Sequence, residues 1–339
     1  MPFPRFLVVD AGGTNIRQVV FEERGDGRFE QTADPVVTAC NSVLRLEDAI
    51  TDFVDSNRID AVGIAAAGPV DDGVCRFTNL PWVVDRTTVA AALKLHPRTV
   101  AVVNDLEACM YGIDLLPPES FYVLHPGREG ATGNRAVMSA GTGLGEAGET
   151  FDCLTGTRHP YATEGGHCPF APSNAGQDVE LLRYFALQGK DPTWEDMVSG
   201  NGLYRLWEFV RDFHSRHPHP GAVDVSRCEN RPAEVSRLAL AHEDRYCELA
   251  LSLFVYLYGS EARNLALKTG AKGGLFVAGD IAIKNLARFK ADDTFMRAFL
   301  FHQVPNIAAL LADIPVKIVL TNANLIGAAR VAQAMFNRG

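Results

Sequence analysis

Asn104 and Asp105 close the run Thr99-Val100-Ala101-Val102-Val103, whose small and β-branched side chains suit a buried strand. An amide and a carboxylate at the carboxyl end of a strand lie where open α/β sheets hold their ligands. In that place Asp105 could accept a proton from a hydroxyl group, and Asn104 could fix the hydroxyl's direction. The same pair stands before an apolar-periodic stretch, 106–113, and could instead cap a helix. By themselves the two residues leave both readings open.

Asp10-Ala11-Gly12-Gly13-Thr14-Asn15 is a second stretch with chemical capacity. Residues 5–10 have the pattern of a buried strand, and 16–22 resume with the period of a strand rather than a helix. No Gly-Lys-Ser/Thr follows the glycines, so neither a P-loop nor a dinucleotide fingerprint is present. What remains is a β-hairpin. Its turn is either an ordinary one or a nest of backbone N–H groups aimed at a phosphate, with Thr14 and Asn15 as further donors. The design recurs after the strand 135–138, as Ser139-Ala140-Gly141-Thr142-Gly143-Leu144-Gly145, which suggests two related halves facing one ligand. Between 163 and 172, Glu164 and His167 stand three apart in a loop too rich in Gly and Pro for regular structure. His167 and Cys168 are adjacent and no second ligand pair accompanies them, so a zinc site is not expected.

The elements that must position these residues alternate in the first part of the chain. Helices are expected over 43–53, 87–95 and 106–113, and strands over 61–67, 74–77 and 120–125. That alternation implies a mixed sheet covered by helices. From 177 the chain turns helical, with helices expected over 178–187, 193–198, 202–214, 233–240 and 243–269. Glycines bracket a strand over 273–281, and a strand over 316–321 precedes a helix over 324–336. The tract 214–220 holds three histidines, but its prolines and arginine mark an exposed loop.

A chain of 339 residues is comfortable for two domains, and 47% hydrophobic with 22% charged residues is ordinary for a soluble globular protein. The net charge of −9, with no basic block, argues against nucleic acid as a partner. No apolar run reaches membrane-spanning length and no targeting segment is evident. Seven cysteines at irregular spacing fit reduced thiols, hence a cytoplasmic location.

Taken together, Asp10 to Asn15, Asn104-Asp105, Ala140 to Gly145, Glu164 to His167 and Gly273 to Gly279 resemble the bacterial glucokinase family, in that family's order and spacing. The match runs nearly end to end and includes Thr78-Asn79 with Trp82 and the stretch 195–200. The resemblance implies an α/β, two-lobed actin-like ATPase (ribonuclease H-like) fold with its active site in the interdomain cleft. Residues 1–118 with 323–339 would form the small α/β domain, and 119–322 the large α+β domain. It further implies ATP-dependent phosphorylation of glucose. Asp105 would be the general base on the 6-hydroxyl, with Asn79, Asn104, Glu164, His167 and Glu195 on the remaining hydroxyls. Asp10, Gly12, Gly13, Thr14, Asn15, Gly141, Thr142 and Gly143 would cradle the ATP phosphates, and Gly279 would lie beside adenosine. Mg²⁺ would bridge the phosphates and reach Asp10 through water. A homodimer is implied as well.

Three positions depart from the family pattern: Asp280 and Ser139 stand where Gly is usual, and Pro169 where Asp is usual. Asp280 adds negative charge near the nucleotide, which leaves ADP and polyphosphate open as donors. A kinase of another hexose, such as mannose or an amino sugar, and a sugar sensor without turnover are the alternative functions. No helix-turn-helix precedes Arg5, which speaks against a transcriptional form.

Overall fold

Strand-forming runs build two six-stranded mixed sheets of similar design. The computed structural model describes residues 3–338 except 26, 33, 56–57, 78–79, 174–175, 215–218 and 220. The chain divides into two compact units: residues 1–120 with 160–162 and 321–339, and residues 121–159 with 163–320.

In the first unit, strands Arg5–Ala11 and Asn15–Glu23 pair antiparallel as a hairpin, with Asp10 opposite Arg17. Ala61–Ala66 lies parallel to the first strand, and Val100–Asn104 lies parallel to Ala61–Ala66. Both faces are covered, so these strands read as continuous apolar runs rather than alternating ones. Leu7, Val9, Val62 and Ile64 pack with Leu46, Ile50, Val89 and Ala90, which come from helices Leu46–Asp55 and Arg86–Ala92. On the other face, Val8, Val19 and Ala65 pack with Ala108, Leu325, Ala328 and Ala329. These belong to helices Asp105–Ile113 and Ala323–Phe336.

Those two helices cross at backbone contact. A Cβ on Gly327 would overlap the Ala108 carbonyl, and one on Gly112 would overlap the Ala323 carbonyl. Only glycine admits so close a crossing.

The second unit repeats the scheme. The hairpin Arg135–Ala140 with Leu144–Phe151 is followed across the sheet by the parallel strands Gly274–Ala278 and Val316–Val319. Phe121–His125 and Arg158–Thr163 form the two edges. The long helix Arg245–Thr269 begins at Asp244, whose carboxylate accepts the Cys247 N–H at 2.8 Å, and ends at Gly270 with φ +63°. Its buried face (Leu251, Phe254, Tyr258, Leu265) shares a core with Trp194, Trp207, Phe295 and Phe299.

Several sequence expectations are corrected. Residues 193–198 form a turn, not a helix; Asp196 Oδ2 accepts both the Thr193 N–H (2.9 Å) and its hydroxyl (3.0 Å), and the Trp194 and Glu195 N–H groups donate to the carbonyls of Cys168 and Gly166. The glycine-rich loop contains a 3₁₀ turn, Gly165–His167. The edge strand Arg158–Thr163 was not expected; its Pro160 lacks a ladder donor and is tolerated because the strand lies at the sheet's edge. Strands Phe29–Gln31 and Val36–Ala39, and the helices between Asp280 and Ala312, were likewise not expected. All seven cysteines are free thiols. Among the described residues no helix is long and apolar enough to cross a membrane.

Candidate active site

In the first unit the strand register aligns the functional residues at one sheet end. Ala11 pairs with Ala66 and Ala66 with Asn104, so Asp10 and Asn104-Asp105 emerge from neighbouring positions. Asn104 leaves the strand in extended conformation and caps the next helix, its Oδ1 accepting the N–H groups of Leu106 (2.9 Å) and Glu107 (3.3 Å). Its amide donates to the Gly68 carbonyl at 3.1 Å. Asp105 lies one residue inside the helix, half-buried, with Oδ1 2.9 Å from the Leu106 nitrogen. The two readings of the pair therefore separate: Asn104 does the capping, and the Asp105 carboxylate is placed beside the positive end of the helix. Replacing Asn104 by Ala should cost about 1 kcal/mol through the lost cap, whereas Asn104→Asp keeps the cap; a thermal melt of the two variants separates these outcomes.

Asp10 is nearly buried, and three groups hold it. The Asn322 amide donates to Oδ2 at 2.9 Å, the Asn324 amide lies 3.5 Å from Oδ1, and the Arg17 guanidinium lies 3.5 Å from Oδ2. None of these partners was singled out from sequence. Asn322 also caps the helix Ala323–Phe336, accepting the Asn324 N–H at 3.0 Å. A buried thiol registers both carboxylates: burial, then Asp105, then Asp10 push Cys109 up to about 12. Asp10 and Asp105 thus share one electrostatic neighbourhood.

The turn between the hairpin strands closes with the Gly12 N–H on the Asn15 carbonyl at 3.0 Å. Thr14 and Asn15 are exposed. A Cβ on Gly13 would meet nothing within 4 Å among the described residues, so the turn has room for a ligand.

In the second unit the corresponding turn closes with the Gly141 N–H on the Gly143 carbonyl at 2.8 Å, and space beside Gly141 is likewise open. Thr142 is exposed. Glu195 sits against this turn: its Oε2 accepts the Leu144 N–H at 2.9 Å and fills the position a Cβ of Gly143 would take. Its own N–H donates to the Gly166 carbonyl at 2.8 Å, tying the turn to the Glu164–His167 loop. In that loop Glu164 and His167 are both exposed, with Oε2 and Nε2 3.9 Å apart. Gly166 packs on the Leu144 carbonyl, which a side chain would forbid. Pro169 suits its place, because the adjoining contacts use the Phe170 N–H and the Cys168 carbonyl and need none from residue 169.

Gly279 follows the strand Gly274–Ala278 with φ +91° and lies against Ser139 Oγ, which leaves no room for a side chain at 279. Asp280 is exposed in the first turn of the helix Asp280–Lys284 and pairs with Lys284 at 3.7 Å. Asn79 falls outside the described residues. No group of three or more His, Cys, Asp or Glu that could hold a metal is present among the described residues.

Two mixed sheets, each carrying a glycine hairpin turn, define the actin-like ATPase class to which sugar kinases belong. The glucokinase family model matches residues 7–335. A glucokinase from Nostoc sp. is 34% identical over 284 residues, covering 79% of this chain and 80% of that one. One from Synechocystis sp. is 33% identical over 96% of both chains. The crystal structure of a glucokinase from an Antarctic psychrotroph superposes with a TM-score of 0.79 at 26% identity, covering 98% of this chain and 99% of that one. The chain belongs to the glucokinase family.

Proposed function

We propose that the protein transfers the γ-phosphoryl group of ATP to the 6-hydroxyl of glucose, with Asp105 as the base that takes the hydroxyl proton. The observation that carries this reading is the division of labour at the end of the Val100–Asn104 strand: Asn104 satisfies the helix, so the adjacent carboxylate is not required for capping. Glu164, His167 and Glu195 read the ring hydroxyls, with Asn104 and Asn79. Carboxylates, an amide and an imidazole suit a ring of donors and acceptors, and such a site rejects analogues that lack a hydroxyl.

The two glycine turns, with Thr14, Asn15 and Thr142, offer backbone and side-chain donors to the phosphates, and Gly279 gives adenosine a close approach to the backbone. Mg²⁺ commonly keeps its waters and is held by one or two carboxylates plus phosphate oxygens. A single buried carboxylate, Asp10, fits that demand, and the bound ion would neutralise charge developing on the phosphates. Asn322, Asn324 and Arg17 fix the orientation of this carboxylate. Asp280 is exposed and paired with Lys284, so solvent screens its charge and ATP remains the donor we assign.

The reading is tested by a coupled ADP-release assay with ATP over a panel of hexoses. Release should depend on sugar, with glucose giving the highest kcat/KM. Faster turnover of mannose or an amino sugar would favour a different hexose kinase, and sugar binding without release would favour a sensor. The family also suggests a homodimer, which sedimentation at micromolar protein would reveal; a clean monomer would overturn it.

A further inference from the structure

Glu146 lies directly beneath the Glu164–His167 loop, and the phosphoryl-transfer roles above make no use of it. Its side chain is 2% exposed, and that of Glu261, from the long helix Arg245–Thr269, is 0% exposed. The two carboxyl groups are close enough that each acts on the other's titration. Each has one buried oxygen, Oε1, with no hydrogen-bond partner among the described residues.

On the loop side, Glu146 Oε2 occupies the position that a Cβ of Gly165 would take, so the carboxyl group rests on the loop backbone. The Thr163 hydroxyl donates to the Glu146 carbonyl at 3.0 Å and accepts the Gly165 N–H at 3.4 Å. The segment that enters the loop is therefore fastened to residue 146 at both its backbone and its side chain.

Two adjacent buried carboxyl groups do not both ionise. The charge belongs on Glu261, because Asn264 donates to its Oε2 at 2.7 Å and Lys268 Nζ stands 3.6 Å from its Oε1. Burial, with Glu261 adding to it, pushes Glu146 up to about 8, so this carboxyl keeps its proton near neutrality. From the same helix Tyr258 also faces the pair; its hydroxyl accepts the Ala140 N–H at 3.0 Å, and burial raises its own pKa. The neighbouring strand sets Met138 opposite Glu146 and brings no charge.

We propose that Glu146, as a neutral carboxylic acid, is a positioning residue for the sugar-reading loop: it donates its proton to the Glu261 carboxylate and supports Gly165, thereby aiming Glu164 and His167. This rests on the reading of Glu164 and His167 as hexose ligands. Losing the proton would place a second charge in the buried pair, directly under Gly165, and would shift the loop. Glucose KM should therefore rise on the alkaline side while kcat stays nearly level, because Asp105 is untouched.

The sign follows from linkage. An acid whose pKa is higher folded than unfolded contributes stability that is full below the unfolded value, about 4.3, and is lost as pH rises through the folded value. The aimed loop is lost with the same proton.

The test is the pH profile of glucose KM and kcat for the full-length protein and for Glu146→Gln, whose amide is neutral at every pH and can still donate to Glu261. For the unsubstituted protein, KM should rise several-fold between about pH 7 and about pH 9, with one proton allowing at most tenfold per pH unit. Glu146→Gln should keep KM near the neutral-pH value across the range. Melting temperatures should show the unsubstituted protein losing stability relative to this variant between about pH 5 and about pH 8.

Superimposable KM profiles for the two proteins would overturn the inference, as would a constant difference in melting temperature if Glu146→Gln fails to turn over. Absence of hexose-dependent turnover by the unsubstituted protein at every pH would instead overturn the functional reading on which the inference rests. The melting comparison would then still report on the proton.

Discussion

Asp105→Asn should lower kcat by about 10²–10⁴-fold, the range expected when a general base is lost, and toward its upper end because a sugar hydroxyl is a poor nucleophile. The substitution keeps the shape of the side chain and an oxygen that can accept the Leu106 N–H, as Asp105 Oδ1 does at 2.9 Å. It leaves the helix cap alone, since Asn104 supplies that. Glucose affinity should fall much less, because the proposed sugar ligands Asn104, Glu164, His167 and Glu195 are unchanged. If Asp105 served only the helix, the change would be nearly silent, as Asn is tolerated in the first turn. Measuring kcat of the purified variant beside its glucose Kd by calorimetry separates the two cases. A kcat above about a tenth of the unsubstituted value would fall outside the range for a lost base and remove Asp105 from that role.

The second large effect concerns stability. In an exposed helix, replacing Gly by Ala stabilises by about 1 kcal/mol. At Gly327 the sign should reverse, because the new methyl would overlap the Ala108 carbonyl and crowd the Gly112 nitrogen. Both are backbone atoms of one helix, so relief requires the helices to move apart. Overpacking of this kind costs about 1–3 kcal/mol and occasionally more, and we expect the upper end. A loss of about 3 kcal/mol lowers the melting temperature of a unit this size by roughly 6–12 °C. Activity should suffer too, since the separated helices carry Asp105 at one end and Asn322 and Asn324 at the other. A thermal scan of Gly327→Ala showing an equal or higher melting temperature would refute the close crossing.

Some of this architecture was legible because local and tertiary preferences agree. The first hairpin was readable since a strand period stands on both sides of Gly12-Gly13 and only a turn fits between, whereas at Gly141-Thr142-Gly143 only the strand before the turn was. The buried parallel strands Ala61–Ala66 and Val100–Asn104 were readable as continuous apolar runs. What stayed hidden depends on partners distant in the chain. Asn322 and Asn324 read as an ordinary helix start, and nothing in sequence says that their amides reach Asp10. Glu146 and Glu261 look like solvent-facing charges of a strand and a helix until packing buries both. Residues 193–198 have helical composition, yet they fold as a turn whose Trp194 and Glu195 N–H groups go to the distant carbonyls of Cys168 and Gly166. The glycines at 63, 112 and 327 carry no local turn signal; each is explained only by the carbonyl pressed against it.

The Asn322–Asp10 bond and the Gly327 crossing also constrain when the first unit can be completed during synthesis. Its strands emerge from the ribosome early, but the helix that helps cover one of their faces belongs to residues 321–339 and is made much later. At about 5–20 residues per second, the intervening 200 residues (320 − 120) take roughly 10–40 s to translate. For that time Val8, Val19 and Ala65 have Ala108 but lack Leu325, Ala328 and Ala329 on that side, and the Asp10 carboxylate lacks its two amides. Nascent chains halted near residue 320 should therefore be the species most readily bound by holdase chaperones. Release of the helix Ala323–Phe336, rather than completion of the first sheet, should set the moment at which the first unit becomes resistant to protease.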